Sequence, residues 1–351
     1  MSPNLIFDLD LPELVDQLNA WNQPAYRAEQ IWTGLYRQLW ERPDQFSSLP
    51  IELRQRLAEA FAVPGNPPSF SHITPRITLQ SSDGETIKTL FGLQDGQNIE
   101  AVLMRYARRR TLCISTQAGC AMGCVFCATG QMGFRRHLTS GEIVEQVLYY
   151  ARQLAAQGEQ VTNIVLMGMG EPFHNYDATI AAIDRLNHPK GYNFGERRFT
   201  ISTVGLVPLI ERFTAEHRQV NLAISLHAAE DELRTKMLPI NRKYPLEALL
   251  AACRSYTQAT RRRITFEWAL IRDVNDSEDE ARRLARHLKG MLCHVNIIPL
   301  NPTQQYPGQA TTLQRALAFQ AELQRGGIPC TIRLRRGIDI QAGCGQLASQ
   351  S

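Results

Sequence analysis

Residues 119–127 read Gly-Cys-Ala-Met-Gly-Cys-Val-Phe-Cys and place Cys120, Cys124 and Cys127 at the spacing C-x3-C-x2-C. A four-iron cluster normally takes four thiolates. Three neighbouring thiolates therefore leave one iron without a protein ligand, and that iron can bind a small molecule. Zinc sites usually show two cysteine pairs, and no second pair exists here. The spacing predicts a [4Fe–4S] cluster; the alternatives are a zinc site that has a distant fourth ligand, or three ordinary cysteines.

The composition is typical of a soluble globular protein, with 351 residues, 44% hydrophobic and 21% charged. The first residues lack the basic and apolar regions of a signal peptide, and no apolar run reaches the roughly 18 residues that a membrane helix needs. We therefore expect a cytoplasmic protein with no membrane association. In a reducing compartment the eight cysteines are not a disulfide framework, and a cluster explains three of them.

The pattern of apolar residues divides the chain into four parts. Helical spacing predicts an N-terminal helical accessory domain over residues 1–62, and period-two alternation after a Pro-rich break predicts a linker and short β-meander over 63–110. From residue 111 strands and helices alternate, which favours an α/β fold with helices outside a parallel sheet or barrel. The six strands are predicted at 112–115, 163–167, 199–203, 222–226, 264–270 and 294–298. Helices are predicted between them at 140–157, entered through a capping box of Thr139 and Glu142, and at about 176–187, 246–258, 277–289 and 313–325. Together the strands and helices indicate a partial (βα)6-type barrel over 111–335, followed by a tail over 336–351.

Polar and small residues fall where these strands end. In βα barrels the chemistry collects at the carboxyl ends of the strands. Each residue alone also fits a tight turn, a helix cap or a core position, but their recurrence at successive strand ends beside the cysteine loop favours a cofactor pocket. The stretches that we single out at these ends are 168–172, 202–205, 225–227 and 299–302, together with Asn296.

Two functions of other classes remain open on the residues alone. An iron–sulfur electron carrier or redox sensor normally has a fourth cluster cysteine; Cys113 could serve, but its position in a predicted strand argues against it. A zinc-stabilised RNA-binding protein needs no catalytic residues. Arginine-rich runs at 108–110 and 333–336 are candidates for phosphate contacts, although solvated ion pairs explain such runs equally well. Three cysteines without motif context, Cys253, Cys293 and Cys330, are predicted core residues.

Several motifs together resemble the radical S-adenosylmethionine (SAM) RNA adenine methyltransferases of the RlmN/Cfr type. The resemblance covers nearly the whole chain. Its motifs are LCISTQAGC (112–120), the cysteine run, ATGQMGF (128–134), GMGEP (168–172), SLHA (225–228) and GIDIQAGCGQL (337–347). The resemblance implies methylation of an adenine carbon in 23S rRNA. The target is C2 in the RlmN branch, where some members also modify tRNA, and C8 in the Cfr branch. The motifs favour the RlmN branch, with C8 methylation as the alternative.

The resemblance also implies cofactors and partners. It implies a radical SAM barrel with one [4Fe–4S] cluster per chain, held by the three motif cysteines, and two SAM molecules per turnover. Among the strand-end residues, the resemblance implies SAM contacts by Gly170, Glu171, Ser202, Ser225, Leu226, His227 and Asn301. Besides the RNA substrate, the resemblance implies an electron donor such as flavodoxin or ferredoxin as a partner. We expect a monomer.

The resemblance assigns the chemistry to two further cysteines and one glutamate. Cys344 accepts a methyl group from SAM, and a 5′-deoxyadenosyl radical then removes a hydrogen from that methyl. The carbon radical adds to adenine, and Cys113 helps to release the product while it closes a disulfide with Cys344. The proton acceptor of the family aligns with Glu100. On the residues alone, Cys113 is as readily a buried strand cysteine. For Glu100, a strand glutamate that faces solvent is the commoner explanation.

Overall fold

A computed structural model describes residues 5–301, 303, 305–333, 337, 339, 340 and 346–348. The chain begins with the predicted helical region. Its helices are α1 (Leu11–Ala20), α2 (Tyr26–Tyr36) and α3 (Ile51–Phe61). A capping box starts α1, because the Asp10 side chain accepts the N–H of Glu13 while the Glu13 side chain accepts that of Asp10.

The meander joins the barrel in one sheet. The strands β1 (Thr74–Gln80), β2 (Thr86–Gly92) and β3 (Asn98–Tyr106) are antiparallel neighbours. Strand β3 also pairs antiparallel with β4 (Arg109–Cys113), the first barrel strand. The region predicted as an appended meander is therefore continuous with the barrel sheet.

A small hairpin follows the first barrel strand and frames the cysteine loop. It consists of β5 (Gln117–Gly119) and β6 (Phe134–His137), with the one-turn helix α4 (Ala128–Gln131) between them. The N–H of Cys120 donates to the carbonyl of Gly133 at 2.9 Å. Gly119 has a positive φ of 73°, and a Cβ there would lie 1.9 Å from the same carbonyl, so this close approach requires glycine.

Parallel strands continue the sheet away from the meander. They are β7 (Asn163–Leu166), β8 (Phe199–Thr203), β9 (Asn221–Ser225), β10 (Ile264–Leu270), β11 (Cys293–Pro299) and β12 (Cys330–Ile332). Within the described residues the ten-stranded sheet runs β1-β2-β3-β4-β7-β8-β9-β10-β11-β12. The six predicted barrel strands are present in the predicted order. The sequence prediction missed β12, a three-residue edge strand parallel to β11.

Helices connect the parallel strands, as a βα barrel requires. They are α5 (Ser140–Ala155), α6 (Tyr176–Asn187), α7 (Val207–Ala215), α8 (Asp231–Met237), α9 (Leu246–Thr260), α10 (Glu278–Leu288) and α11 (Leu313–Arg325). The capping box predicted from Thr139 and Glu142 is present at the start of α5. The sequence prediction missed α7 and α8, which are short. None of the helices in the described part of the chain has the length and apolar character needed to span a membrane.

The core lies between the sheet and the helices. Strand β10 contributes the fully buried Phe266 and Trp268. The cysteines predicted as core residues, Cys253, Cys293 and Cys330, are buried, which confirms that prediction. The N-terminal region joins this core through Asp8, whose carboxylate accepts the N–H of Gly141 at 2.6 Å and the hydroxyl of Ser140 at 2.9 Å.

Asp8 thus caps α5 from outside that helix, and we expect Asp8→Ala to destabilise the protein. Loss of a helix-capping carboxylate costs about 1–2 kcal/mol, so the free energy of unfolding and the melting temperature should both fall. Asp16→Ala, at an exposed position of α1, is the matched control and should change stability by less than about 0.5 kcal/mol. Equal effects of the two substitutions in thermal unfolding would contradict the capping role.

Candidate active site

A cavity of about 370 Å³ opens at the carboxyl ends of the parallel strands. The barrel supplies one wall, and the meander supplies the other through Val102, Met104 and Tyr106. These three residues alternate along β3 and therefore face the same side of the sheet. The cavity brings together most of the site residues predicted from the sequence. The predicted residues among its lining are Cys113, Cys120, Cys124, Cys127, Gly170, Glu171, Ser202, Ser225, His227 and Asn301.

The three motif cysteines lie together at this cavity. Cys120 and Cys124 are buried, and Cys127 is half-buried. Apolar side chains from other elements pack around the loop, including Met237 and Leu300. The loop is also fixed by its backbone, because the N–H of Val125 donates to the carbonyl of Met237 at 3.1 Å.

The chemistry of this donor set fits an iron–sulfur cluster. Burial is the main reason that the pKa of Cys120 rises to about 12 and that of Cys124 rises well above its usual value. Thiolates at these positions therefore need strong positive charge nearby, which iron supplies. In the described part of the chain, no three His, Cys, Asp or Glu side chains converge closely enough to hold a single metal ion. A cluster makes no such demand, because each thiolate binds a different iron.

The loop after β7 is fixed against the segment that leads into the cysteine loop. Gly170 has a φ of 101°, and a Cβ there would lie 2.5 Å from the Cβ of Gln117. The amide oxygen of Gln117 accepts the N–H of Glu171 at 2.8 Å. The Glu171 carboxylate accepts the N–H groups of Phe173 at 3.0 Å and Val204 at 2.9 Å. Burial raises the pKa of Glu171 to about 7, and these N–H donors oppose the rise.

Strands β8 and β9 place two hydroxyls and an imidazole in the same cavity. The hydroxyl oxygens of Ser202 and Ser225 lie 3.4 Å apart. His227 has a positive φ of 63°, and its Nδ1 accepts the N–H of Ala269 at 2.9 Å, so Nε2 carries the proton of the neutral ring. Burial lowers the pKa of His227 to about 3. The ring packs edge-on against Phe126, with centroids 5.0 Å apart.

Two predicted site residues do not line the cavity, and a third lies outside the described residues. Leu226 is buried behind the wall, where its N–H donates to the carbonyl of Glu267 at 3.1 Å. Glu100 is also buried, 2.9 Å from the ammonium of Lys88, so the expectation that it faces solvent is wrong. Cys344 lies outside the described residues, and Gln346, two residues later, lines the cavity.

Sequence reasoning missed two charged residues at the site. The fully buried Arg234 of α8 ties the strand ends together, because its guanidinium donates to the carbonyls of Val204 at 2.7 Å and Leu226 at 3.2 Å. Glu267 lines the cavity and accepts the side-chain N–H of Asn296 at 2.8 Å. Burial raises the pKa of Glu267. Glu267 could have been found from the sequence, because a glutamate inside the apolar strand β10 is unusual. Arg234 gave no such signal, because its neighbours are those of an exposed helix.

The chain is similar to proteins of one family over nearly its whole length. The model of the radical SAM superfamily matches residues 114–285. The probable dual-specificity RNA methyltransferase RlmN of Chloroflexus aurantiacus is 46% identical and is matched over 100% of this chain and 94% of its own length. The dual-specificity RNA methyltransferase RlmN 1 of Myxococcus xanthus is 48% identical over 97% of this chain and 93% of its own length.

A solved structure is similar over the same extent. The crystal structure of a radical SAM methyltransferase from Sphaerobacter thermophilus superposes with a TM-score of 0.94 and 51% identity, covering 98% of this chain and 99% of that one. The predicted fold class is thereby confirmed. The chain therefore belongs to the radical SAM superfamily and, within it, to the RlmN family of RNA methyltransferases.

Proposed function

We propose that this protein methylates C2 of an adenine in 23S rRNA, and also an adenine in tRNA, through a methylated Cys344 and a 5′-deoxyadenosyl radical. The observation that carries the proposal is that one cavity is lined by the three motif cysteines, by Cys113 and by the strand-end polar residues. The relatives named as dual-specificity RNA methyltransferases support both RNA substrates. Their RlmN names favour C2 over the C8 alternative.

The cavity offers a place for both cofactors. Cys120, Cys124 and Cys127 would hold one cluster, which supplies the electron that cleaves SAM when both are bound. The carboxylate of Glu171 and the neighbouring backbone suit the amino group of SAM, and the hydroxyls of Ser202 and Ser225 suit its polar groups. Burial keeps water away from the radical that forms there.

Two thiols divide the remaining chemistry. An aromatic carbon is a poor nucleophile, whereas a thiolate can attack the methyl group of SAM and displace S-adenosylhomocysteine, so Cys344 would carry the methyl. Cys113 ends β4, is buried and lines the same cavity. Gln346 also lines it, and two residues of chain span at most about 7 Å. This arrangement supports Cys113 as the thiol that releases the base through a disulfide with Cys344.

The RNA must approach the open side of the cavity with its target base unstacked. Arg108, in the turn between β3 and β4, and Arg109, the first residue of β4, are exposed and available for phosphate contacts. Arg110 instead forms a salt bridge with Glu159. Arg333 lines the cavity, and the other arginines of its run lie outside the described residues. We further infer that the protein is a cytoplasmic monomer. It would consume two SAM molecules for each methylation and receive electrons from a donor such as flavodoxin or ferredoxin.

Replacing Cys120, Cys124 and Cys127 together by alanine should remove the cluster. Anaerobically purified wild-type protein should contain about four iron atoms per chain, and the triple variant should lose the iron, the brown absorption and SAM cleavage. Cys253→Ala, at a buried cysteine of α9, is the matched control and should keep its iron. A full iron complement in the triple variant, or zinc in place of iron in the wild type, would rule out the cluster.

Cys113→Ala should separate radical addition from product release. The variant should fold, bind its cluster and cleave SAM, while RNA methylation falls by at least about a hundredfold. Protein covalently linked to RNA should accumulate on denaturing gels, and a second substitution, Cys344→Ala, should abolish the link.

Cys293→Ala is the control for packing, because Cys293 is also a buried strand cysteine. It should cost some stability through lost volume and leave methylation intact. Normal methylation by a folded Cys113→Ala protein, with no cross-link, would show that Cys113 has only a structural role.

A further inference from the structure

Glu100 and Lys88 form an ion pair on the face of the meander that continues the cavity wall. Lys88 Nζ lies 2.9 Å from Glu100 Oε2, and both side chains are fully buried. Alternate residues of a strand face the same side. Glu100 therefore lies on the face of β3 that presents Val102 and Met104 to the cavity, and Lys88 follows the cavity-lining Thr86 on β2 in the same way.

The second oxygen of the Glu100 carboxylate binds the C-terminal tail. Oε1 accepts the N–H of Leu347 at 2.7 Å and the N–H of Ala348 at 2.6 Å, across 247 and 248 residues of sequence. Ala348 is buried in the main core, and Gln346 lines the cavity. The carboxylate thus lies between a buried ammonium group and the tail backbone.

A second contact attaches the tail to the meander before Cys344. The carboxylate of Asp339 accepts the N–H of Ser82, in the turn between β1 and β2, at 2.8 Å. The described parts of the tail on both sides of residues 341–345 therefore contact the meander. The contact at Glu100 is the buried one, so it is better protected from competition by water.

We propose that Glu100, held in place by Lys88, is a positioning residue that docks the backbone of Leu347 and Ala348 and thereby presents Cys344 to the cavity. Hydrogen bonds to a buried charge are stronger than neutral ones. Lys88 compensates the charge of a carboxylate that would otherwise be costly to bury. This role rests on the proposed function, because it is the methyl-carrying role of Cys344 that makes the tail position matter.

The geometry differs from that of a direct proton acceptor. A base must come within hydrogen-bond distance of the proton that it removes. Glu100 is not among the residues that line the cavity, and both of its carboxylate oxygens are engaged by N–H donors. Glu100 therefore acts on the reaction through the tail.

The test measures tail docking and cysteine methylation separately. Hydrogen–deuterium exchange of the Leu347 and Ala348 amides reports docking, and mass spectrometry of the tail peptide reports methylated Cys344. In Glu100→Gln we expect exchange to become about tenfold faster or more, with methylated Cys344 and RNA methylation each falling at least tenfold. Iron content and SAM binding should stay at the wild-type level.

A variant on the tail side keeps the ion pair intact. Ala348→Pro removes one N–H donor and should reproduce the faster exchange of Leu347 and the loss of methylated Cys344. Ala348→Gly keeps the N–H and controls for lost side-chain packing, so its exchange should lie closer to that of the wild type. This pair of variants decides the question if Glu100→Gln does not fold.

Two results would overturn the proposal. One is unchanged tail exchange in folded Glu100→Gln, and the other is faster exchange with normal Cys344 and RNA methylation. Full methylation of Cys344 with wild-type exchange but no RNA product would assign Glu100 to proton transfer instead. If wild-type Cys344 carries no methyl while the exchange difference persists, docking by Glu100 is supported and the proposed function fails.

Discussion

The shared edge of one parallel sheet is the constraint on which the rest of the site depends. Strand β4 and strands β7 to β12 run in the same direction, so their carboxyl ends reach the same edge. Residues as distant in sequence as Cys113 and Asn301 therefore meet in one cavity. Because the barrel is open, the antiparallel strand β3 can extend the sheet and supply the opposite wall.

Buried polar groups hold the loops at this edge. Gln117 joins the loop after β4 to the loop after β7, and Arg234 joins the ends of β8 and β9. Each group is expensive to bury and is satisfied by backbone and side-chain partners. Such networks fix a backbone more tightly than apolar packing does, because an unpaired group would be costly. A radical reaction benefits from this rigidity, since the reacting atoms must be held in place while water is excluded.

The sequence predicted the parts of the structure that depend on local pattern. The cysteine spacing, the order of the six predicted barrel strands and the residues at their ends could be read from the sequence. Apolar residues mark each strand, and a βα fold fixes where the end of the strand lies. The short elements α7, α8 and β12 were missed, since seven to nine helical residues or three strand residues carry too little periodicity. The contact between Glu100 and Leu347 spans 247 residues, and no local pattern reports such a pairing. The same holds for the buried Arg234, whose sequence surroundings are those of an exposed helix.

The identity of the methylated carbon is the most direct test of the account. The reduced holoenzyme would be incubated with SAM and with 23S rRNA or tRNA from a strain that lacks this activity. Nucleosides from the digested RNA would then be compared by mass spectrometry with authentic 2-methyladenosine and 8-methyladenosine. The account predicts 2-methyladenosine from both RNAs. The appearance of 8-methyladenosine, or of no methyladenosine from enzyme with a full cluster, would contradict it.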